Sequence, residues 1–253
     1  MAPKEQLDHG WHEEGRDEFH HYPRLTLMQP GRLIVLEGPE GAGKTTQLRR
    51  LADRLEVSGR KVLALREPGG TPLGDAIRTI LLDSADEMTA AAEALLFMAS
   101  RAEIVRLKID PALGDGVVVL MDRFFLSTYA YQIGGRGLDE SEIRQANALA
   151  TGGLVPDLTV VIDVAPADGL ARAASRGKHD RMERSGDEFH SKVAGAFSLF
   201  ATEDWQRDHA ECGPIVKVDG TGAAEVVHER IARALAQNLP EDFGMLADAK
   251  TGK

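Results

Sequence analysis

The segment 38–45 is the part of this sequence that most narrowly limits the possible folds. It fits the pattern G-x-x-x-x-G-K-[ST], in which glycines let backbone N–H groups converge on phosphate oxygens. The apolar run 33–36 precedes it, and leucines at helical spacing follow it as far as Gly59. A strand, a glycine-rich loop and a helix in this order predict a nucleotide-binding loop rather than a chance glycine-rich turn.

Five short apolar runs alternate with predicted helices along the chain. The runs are 33–36, 61–66, 117–122, 158–163 and 215–219. The predicted helices are 44–58, 73–82, 89–108, 127–132, 139–150, one that starts at Pro166, and 223–239. This alternation predicts an α/β fold with a five-stranded parallel sheet and helices on both faces, in three layers.

Composition excludes several classes of partner. The formal net charge of −10 argues against a surface that coats nucleic acid, because the phosphate backbone would be repelled. The single cysteine, Cys212, allows no intramolecular disulfide and is typical of a reducing compartment. No apolar run approaches the ~18 residues of a membrane span. We therefore expect a cytoplasmic protein with no membrane or nucleic-acid partner.

The chain divides into one predicted domain with two extensions. Residues 1–30 place His9, His12, His20 and His21 among acidic residues without a sustained apolar period. A metal site is one interpretation; a disordered extension is the favoured one, because no core is available to fix ligand geometry. Residues 31–240 form the predicted domain, and residues 241–253 a flexible tail.

Charged and aromatic residues at predicted strand ends and on one helix suggest a second ligand. Asp122 and Arg123 follow the third strand, where a carboxylate can position Mg²⁺ and a guanidinium can bind phosphate bidentately. Phe97 and Arg101 lie four residues apart on the long helix, together with Glu93. Phe97 can stack on a flat heterocycle beside Arg101, although alone it would be assigned to the core.

The segment 172–189 is dense in arginine and acid and cannot bury a core. It is either a solvated loop or a lid that brings arginine to a transferring phosphate while excluding water.

Several motifs, in order and spacing, resemble the thymidylate kinase family. They are the segment 66–71 (REPGGT), the pair Phe97 and Arg101, Asp122 and Arg123 followed by Ser127 and Thr128, Tyr131 and Gln132, and the segment 156–159. The resemblance covers about residues 31–239 and implies a P-loop nucleoside monophosphate kinase. The implied reaction transfers the γ-phosphoryl group of ATP to dTMP, giving dTDP and ADP, in a cytoplasmic homodimer with Mg²⁺.

The resemblance also implies the roles of individual residues. ATP would be bound by Gly38, Pro39, Glu40, Gly41, Ala42, Gly43, Lys44, Thr45 and Thr46, and Mg²⁺ by Thr45 and Asp122. The acceptor would be bound by Glu37, Arg66, Pro68, Phe97, Arg101, Arg123, Ser127, Tyr131 and Gln132. Of these, Arg66 and Arg123 would hold the monophosphate. Tyr131 would crowd the sugar and favour deoxyribose.

The loop and the lid together indicate a subtype of the family. Glu40 and Ala42 stand where some members carry a basic residue, so the chain resembles the bacterial type, whose catalytic arginines lie in the lid, here about 176–187. The predicted catalytic residues are Lys44, Arg123, Arg176 and Arg181. Two alternatives stay open: a kinase for another monophosphate such as dUMP or dCMP, and a P-loop switch protein that hydrolyses nucleotide slowly.

Overall fold

A computed structural model describes residues 30–83, 87–174, 180–182 and 184–247 of the 253-residue chain. The predicted N-terminal extension, with its four histidines, lies outside the described residues apart from Pro30. So do Arg176 and the adjacent part of the predicted lid up to residue 179.

The five predicted strands form one parallel sheet. They are β1 (Arg32–Glu37), β2 (Val62–Arg66), β3 (Val118–Asp122), β4 (Leu158–Asp163) and β5 (Ile215–Asp219). Their order across the sheet is β2-β3-β1-β4-β5, and every neighbouring pair is parallel. The predicted fold class is confirmed, and each observed strand lies within one or two residues of its predicted limits.

Helices connect the strands. They are α1 (Lys44–Val57), α2 (Pro72–Asp83), α3 (Ala90–Ile104), α4 (Asp110–Gly114), α5 (Phe125–Thr128), α6 (Glu140–Thr151), α7 (Pro166–Ala174), α8 (Asp187–Phe200), α9 (Glu203–Asp208), α10 (Ala224–Asn238) and α11 (Pro240–Phe243). Two π-helical segments, Val105–Ile109 and Tyr129–Gly135, continue α3 and α5. Short 3₁₀ turns occur at Ala210–Cys212 and Gly244–Leu246.

Alternate residues of β1 belong to two separate cores. Ile34 and Leu36 pack with α1 and α10, whereas Leu33 and Val35 pack on the opposite face with α3, α5 and α8. All four side chains are at most 1% exposed. A strand that is apolar on both faces requires a cover on each, and this produces the three-layer architecture.

The strand register brings the ends of three strands to one level. Asp122 of β3 is the Cα partner of both Leu36 in β1 and Arg66 in β2. The loop that follows β1 therefore lies beside Asp122 and Arg123, as the sequence predicts for parallel strands.

Two predicted helices differ from those observed. The α-helical part of the predicted helix 89–108 ends at Ile104, although Thr89 does cap it, with the Ala92 N–H donating to the Thr89 hydroxyl at 3.3 Å. The predicted helix 127–132 begins at Phe125 and becomes π-helical from Tyr129. Single-turn π geometry often occurs at functional sites, and here it carries Tyr131 and Gln132.

The prediction of a flexible tail from residue 241 is wrong for residues 241–247. This segment is largely helical, and Phe243 and Leu246 are buried in the core beneath α1 and α10. Asp242 forms an ion pair with Arg32 at 2.7 Å. Apolar residues separated by three positions gave too short a pattern to indicate this packing from the sequence.

Because Phe243 is fully buried, Phe243→Ala should lower the free energy of unfolding by roughly 3–5 kcal/mol. The matched control is Met245→Ala in the same turn, where the side chain is 42% exposed and a change within about 0.5 kcal/mol is expected. Chemical denaturation followed by circular dichroism measures both. Equal stability of the two variants would contradict the packed position of this segment.

Candidate active site

A cleft opens at the carboxyl ends of β1, β2 and β3. Its lining comes from the glycine-rich loop, the turns after β2 and β3, the helices α2 and α3, and the charged segment before α8. The lining residues are Glu40, Gly41, Gly43, Lys44, Thr45, Thr46, Arg66, Glu67, Pro68, Arg78, Leu82, Phe97, Arg101, Asp122, Arg123, Phe124, Ser127, Thr128, Tyr131, Gln132, Asp180 and Met182.

The loop between β1 and α1 has the backbone of a phosphate cradle. Gly41 and Gly43 have φ angles of 68° and 92°, which glycine adopts at no steric cost. A Cβ atom at Gly41 would lie 1.8 Å from the carbonyl oxygen of Gly169, so a side chain has no room there. Helix α1 begins at Lys44 and directs its positive N-terminal end toward the cleft.

Lys44 is held at the floor of this cradle. Its Nζ donates to the carbonyl oxygens of Gly38 at 3.0 Å and Pro39 at 2.8 Å. Burial, followed by the neighbouring Arg123 cation, lowers the pKa of Lys44 from 10.5 to about 8. An arriving phosphate would supply the negative charge that this buried ammonium lacks.

Thr45 and Asp122 are adjacent across the cleft. The Thr45 hydroxyl donates to Oδ2 of Asp122 at 2.5 Å. A hydroxyl and a carboxylate that converge beside a phosphate cradle are the oxygen ligands that Mg²⁺ takes when nucleotide and water complete its shell. These two residues therefore fit the predicted metal.

Arg123 is fixed by four hydrogen bonds. Nη1 donates to the Ser127 hydroxyl at 2.9 Å and to the Gly38 carbonyl at 3.2 Å. Nη2 donates to Glu40 at 2.8 Å and to the Tyr131 hydroxyl at 3.1 Å. Among the described residues, Arg123 alone combines a side chain with a positive φ, 73°. Such strain is typical of residues whose position the surrounding structure enforces.

Glu37, predicted as an acceptor-binding residue, is not among the residues that line the cleft. It is fully buried, and its carboxylate accepts from the N–H groups of Phe124 (2.7 Å) and Ser127 (3.0 Å) and from the Ser127 hydroxyl (2.7 Å). These bonds fix the turn that directly follows Arg123. Glu37 thus holds Arg123 in place from behind the site.

Glu40 was predicted only as part of the ATP loop. In the structure its carboxylate accepts from Arg123 and from the Tyr131 hydroxyl, both at 2.8 Å, so it faces the second ligand region. An acid inside a phosphate-binding loop repels phosphate unless a cation pairs with it. That mismatch was the signal in the sequence that Glu40 serves another part of the cleft.

A cationic group formed by Arg66 and Arg78 stands opposite the loop. No acceptor in the described part of the chain lies within hydrogen-bond distance of the Arg66 guanidinium, which lines the cleft. Arg78 of α2 donates to the Pro68 carbonyl at 2.9 Å, and burial together with the nearby Arg66 lowers its pKa. Arg78 was missed because it looks like a solvated position on an ordinary amphipathic helix.

Phe97 and Arg101 line the cleft side by side, as predicted, but they differ in burial and in hydrogen bonding. Phe97 is only partly buried, which favours a ligand-stacking role over a core role. Arg101 is 1% exposed, and all five of its N–H groups have protein acceptors. These acceptors are Glu67 Oε2 (2.9 and 2.6 Å), Thr128 (3.0 Å), Asn147 (2.7 Å) and the Phe124 carbonyl (3.0 Å).

Arg181, predicted as a lid residue that approaches the phosphates, contacts Glu93 and the end of α2 in this structure. Its Nη2 forms an ion pair with Glu93 at 2.6 Å, and its Nε donates to the Leu81 carbonyl at 2.8 Å. Arg181 is absent from the lining of the cleft, whereas the flanking Asp180 and Met182 belong to it. The second predicted lid arginine, Arg176, lies outside the described residues.

The fold and the site together define a P-loop nucleotide kinase: a phosphate cradle at the centre of a parallel sheet, faced by a second anion-binding set. Comparison with known proteins narrows this class. The family model for thymidylate kinase matches residues 36–213. The chain belongs to the thymidylate kinase family.

Individual relatives agree with this assignment. The chain is 46% identical over 210 residues to the thymidylate kinase of Deinococcus radiodurans, covering 83% of this chain and 98% of that one. It is 49% identical over 191 residues to the thymidylate kinase of Pseudomonas fluorescens, covering 74% and 91%. The crystal structure of thymidylate kinase from Ehrlichia chaffeensis superposes with a TM-score of 0.62 at 31% identity, covering 81% and 99%.

Binding of ADP at a pH near 8 should be accompanied by proton uptake. The pKa of Lys44 is about 8 without ligand, and the diphosphate should raise it, so the bound state holds more proton. We expect Lys44 to take up roughly half a proton at pH about 8 and almost none at pH about 6, where it is already charged. The terminal phosphate of ADP, with a pKa of about 6, adds its own proton exchange at the lower pH.

Isothermal titration calorimetry in two buffers of different ionisation enthalpy measures this uptake. Lys44→Arg is the control: arginine stays charged throughout, so the wild type's uptake minus that of the variant at each pH gives the contribution of Lys44. Equal proton uptake by the wild type and Lys44→Arg would refute the assignment to Lys44.

Proposed function

We propose that this cleft carries out the reaction for which the family is named: transfer of the γ-phosphoryl group of ATP to dTMP, giving dTDP and ADP and so supplying dTTP synthesis. The observation that carries the proposal is the presence of two anion-binding sets across one cleft. Lys44 and the loop form one set, and Arg66, Arg78 and Arg123 form the other. A switch protein would need only the first.

The donor side would bind the triphosphate of ATP. The backbone N–H groups of the loop from Gly38 to Thr46 and the N-terminus of α1 favour phosphate oxygens. Thr45 and Asp122 would hold Mg²⁺, which would neutralise part of the negative charge of the nucleotide. Lys44 would leave the loop carbonyls for the same oxygens.

The acceptor side would place dTMP between the arginines and α3. Arg66, Arg123 and Arg78 would hold the monophosphate, and Phe97 would stack on the thymine ring. Pro68, Ser127 and Gln132 complete the walls. Arg101 would contact the base edge only by sharing an N–H that already serves Thr128 or Asn147.

Tyr131 is the residue placed to favour deoxyribose. Its ring is 5% exposed, lies 5.1 Å from the Arg123 guanidinium carbon, and has its hydroxyl bonded to Glu40. A ring held on both sides cannot move to admit an additional 2′-hydroxyl, so ribonucleotides should bind poorly.

Catalysis requires alignment and charge stabilisation rather than covalent chemistry by the protein. The acceptor phosphate oxygen must meet the γ-phosphorus in line, and the arginine network around Arg123 fixes one reactant. Lys44 stabilises charge on the transferring group. Arg176 remains our proposal for the further catalytic arginine, by its place in the sequence.

The first test is the initial rate of ADP formation with ATP, Mg²⁺ and one of dTMP, dUMP, dCMP, UMP or no acceptor. We expect turnover concentrated on dTMP, and Lys44→Ala should lose most of it while keeping its circular dichroism spectrum. Faster turnover with dUMP or dCMP would identify a kinase for another monophosphate. Hydrolysis that no acceptor increases would favour the switch alternative.

We also propose that the enzyme is a cytoplasmic homodimer. Among the described residues, no helix has the length and apolarity to cross a membrane. Large apolar side chains are exposed on three neighbouring helices: Ile80 on α2 (48%), Leu95 on α3 (63%) and Leu149 on α6 (87%). Large exposed apolar side chains on neighbouring helices are typical of a protein–protein interface.

Leu95→Asp combined with Leu149→Asp should therefore convert the dimer to a monomer without unfolding it. A charge in an apolar interface loses its hydration without gaining a partner. Light scattering after size-exclusion chromatography measures the mass, and Val57→Asp, at a 90% exposed position on α1, is the control. A dimer that survives the double substitution would place the interface elsewhere.

A further inference from the structure

Glu93 is a fully buried carboxylate behind the cleft, with four hydrogen-bond donors on its two oxygens. Oε1 accepts from Gln132 Nε2 at 2.9 Å and from Arg136 Nε at 3.2 Å. Oε2 accepts from Nη2 of Arg136 at 3.1 Å and from Nη2 of Arg181 at 2.6 Å. The function proposed above places Gln132 in the acceptor wall but gives no role to Glu93, Arg136 or Arg181.

The two guanidinium groups keep Glu93 ionised. Burial raises the pKa of Glu93, but hydrogen bonds from Arg136, Gln132 and Arg181 outweigh burial, and the net pKa is lowered. An ionised carboxylate accepts hydrogen bonds and donates none. Whatever faces Glu93 must therefore present N–H or O–H groups.

This requirement fixes the orientation of the Gln132 amide. Its NH₂ group must point at Glu93, so its carbonyl oxygen points away. Gln132 lines the cleft, and no donor in the described part of the chain lies within hydrogen-bond distance of that oxygen. The Gln132 carbonyl oxygen is therefore a hydrogen-bond acceptor available to a ligand in the cleft. The opposite amide orientation is disfavoured, because it would place this oxygen against the Glu93 carboxylate.

We propose that Glu93 is a positioning residue that makes Gln132 a hydrogen-bond acceptor toward the base and so selects pyrimidines that carry an N3–H group. The inference rests on the proposed function, which places the base beside Phe97 and Gln132. Thymine and uracil carry a donor at N3, whereas N3 of cytosine carries a lone pair. Cytosine would leave both acceptors unpaired in a desolvated site.

The proposal separates two parts of substrate selection. Recognition of the N3–H group by Gln132 excludes dCMP but admits both dTMP and dUMP. These two nucleotides differ by a methyl group that Gln132 does not contact. Discrimination at N3 should be large, because a buried polar group left unpaired costs more than a missing methyl contact.

Arg181 and Arg136 acquire a defined role in this arrangement. Arg181 connects Glu93 to the end of α2, since its backbone N–H donates to the Leu82 carbonyl and its Nε to the Leu81 carbonyl. Arg136 lies over the ring of Phe189 in α8, with its guanidinium carbon 4.4 Å from the ring centre. Both arginines act through Glu93 and are positioning residues rather than phosphate ligands.

The test is Glu93→Gln, with kcat/KM measured for dTMP and dCMP. A glutamine at 93 can donate as well as accept, so the Gln132 amide is free to turn over and present its NH₂ group. We expect the dTMP-to-dCMP ratio of kcat/KM to fall by at least about 10-fold, mainly through KM for dTMP. The control is Glu103→Gln on the same helix, which should leave the ratio unchanged.

The outcomes separate this inference from the proposed function. If Glu93→Gln lowered both substrates by the same factor, Glu93 would have a structural role only and the inference would fail. If the variant did not fold, Glu93→Asp would replace it. The shorter Asp side chain places its carboxylate farther from Gln132, so we expect a smaller fall of the dTMP-to-dCMP ratio of kcat/KM. An unchanged ratio would overturn the proposal. A wild type inactive on dTMP would instead overturn the proposed function.

Discussion

The parallel register between β1, β3 and β2 is the constraint on which the rest of the site depends. Because Leu36, Asp122 and Arg66 lie at one level of the sheet, the phosphate loop after β1, the Asp122 carboxylate and the Arg66 guanidinium lie at the same edge. A shift of one residue in either pairing would turn Asp122 or Arg66 to the other face of the sheet. The apolar cores on both faces prevent such a shift, since every inward side chain would move with it.

Carboxylates within the site limit which cations of the cleft are available to ligands. Glu37 and Glu40 fix Arg123, Glu67 occupies Arg101, and Glu93 occupies Arg181. A buried ion pair contributes little net stability, but it holds both partners in one geometry. Among the described residues, the cleft cations Lys44, Arg66 and Arg78 have no carboxylate ion pair of this kind, so negatively charged ligands can engage them without displacing a carboxylate.

Much of this arrangement could be predicted from the sequence. The glycine-rich loop, the five apolar runs and Asp122 at a strand end are local patterns whose chemistry hardly depends on context. Local patterns could not predict three other features: the position of Arg78 in the cleft, the burial of Phe243 and the pairing of Arg181 with Glu93. The local sequence around an arginine does not show whether it binds a phosphate or a carboxylate, because the partner is distant in the chain.

By itself the sequence determined the fold class, the phosphate cradle and the family, because each rests on residues close together in the chain or on a periodic apolar pattern. Only the tertiary structure decided which carboxylate each arginine meets. Glu93 and Arg181 are 88 positions apart, and Glu40 and Tyr131 are 91 apart. Pairings over such separations depend on how helices pack on the sheet, and this packing pairs Arg181 with Glu93 and buries Glu37 beneath the turn that follows β3.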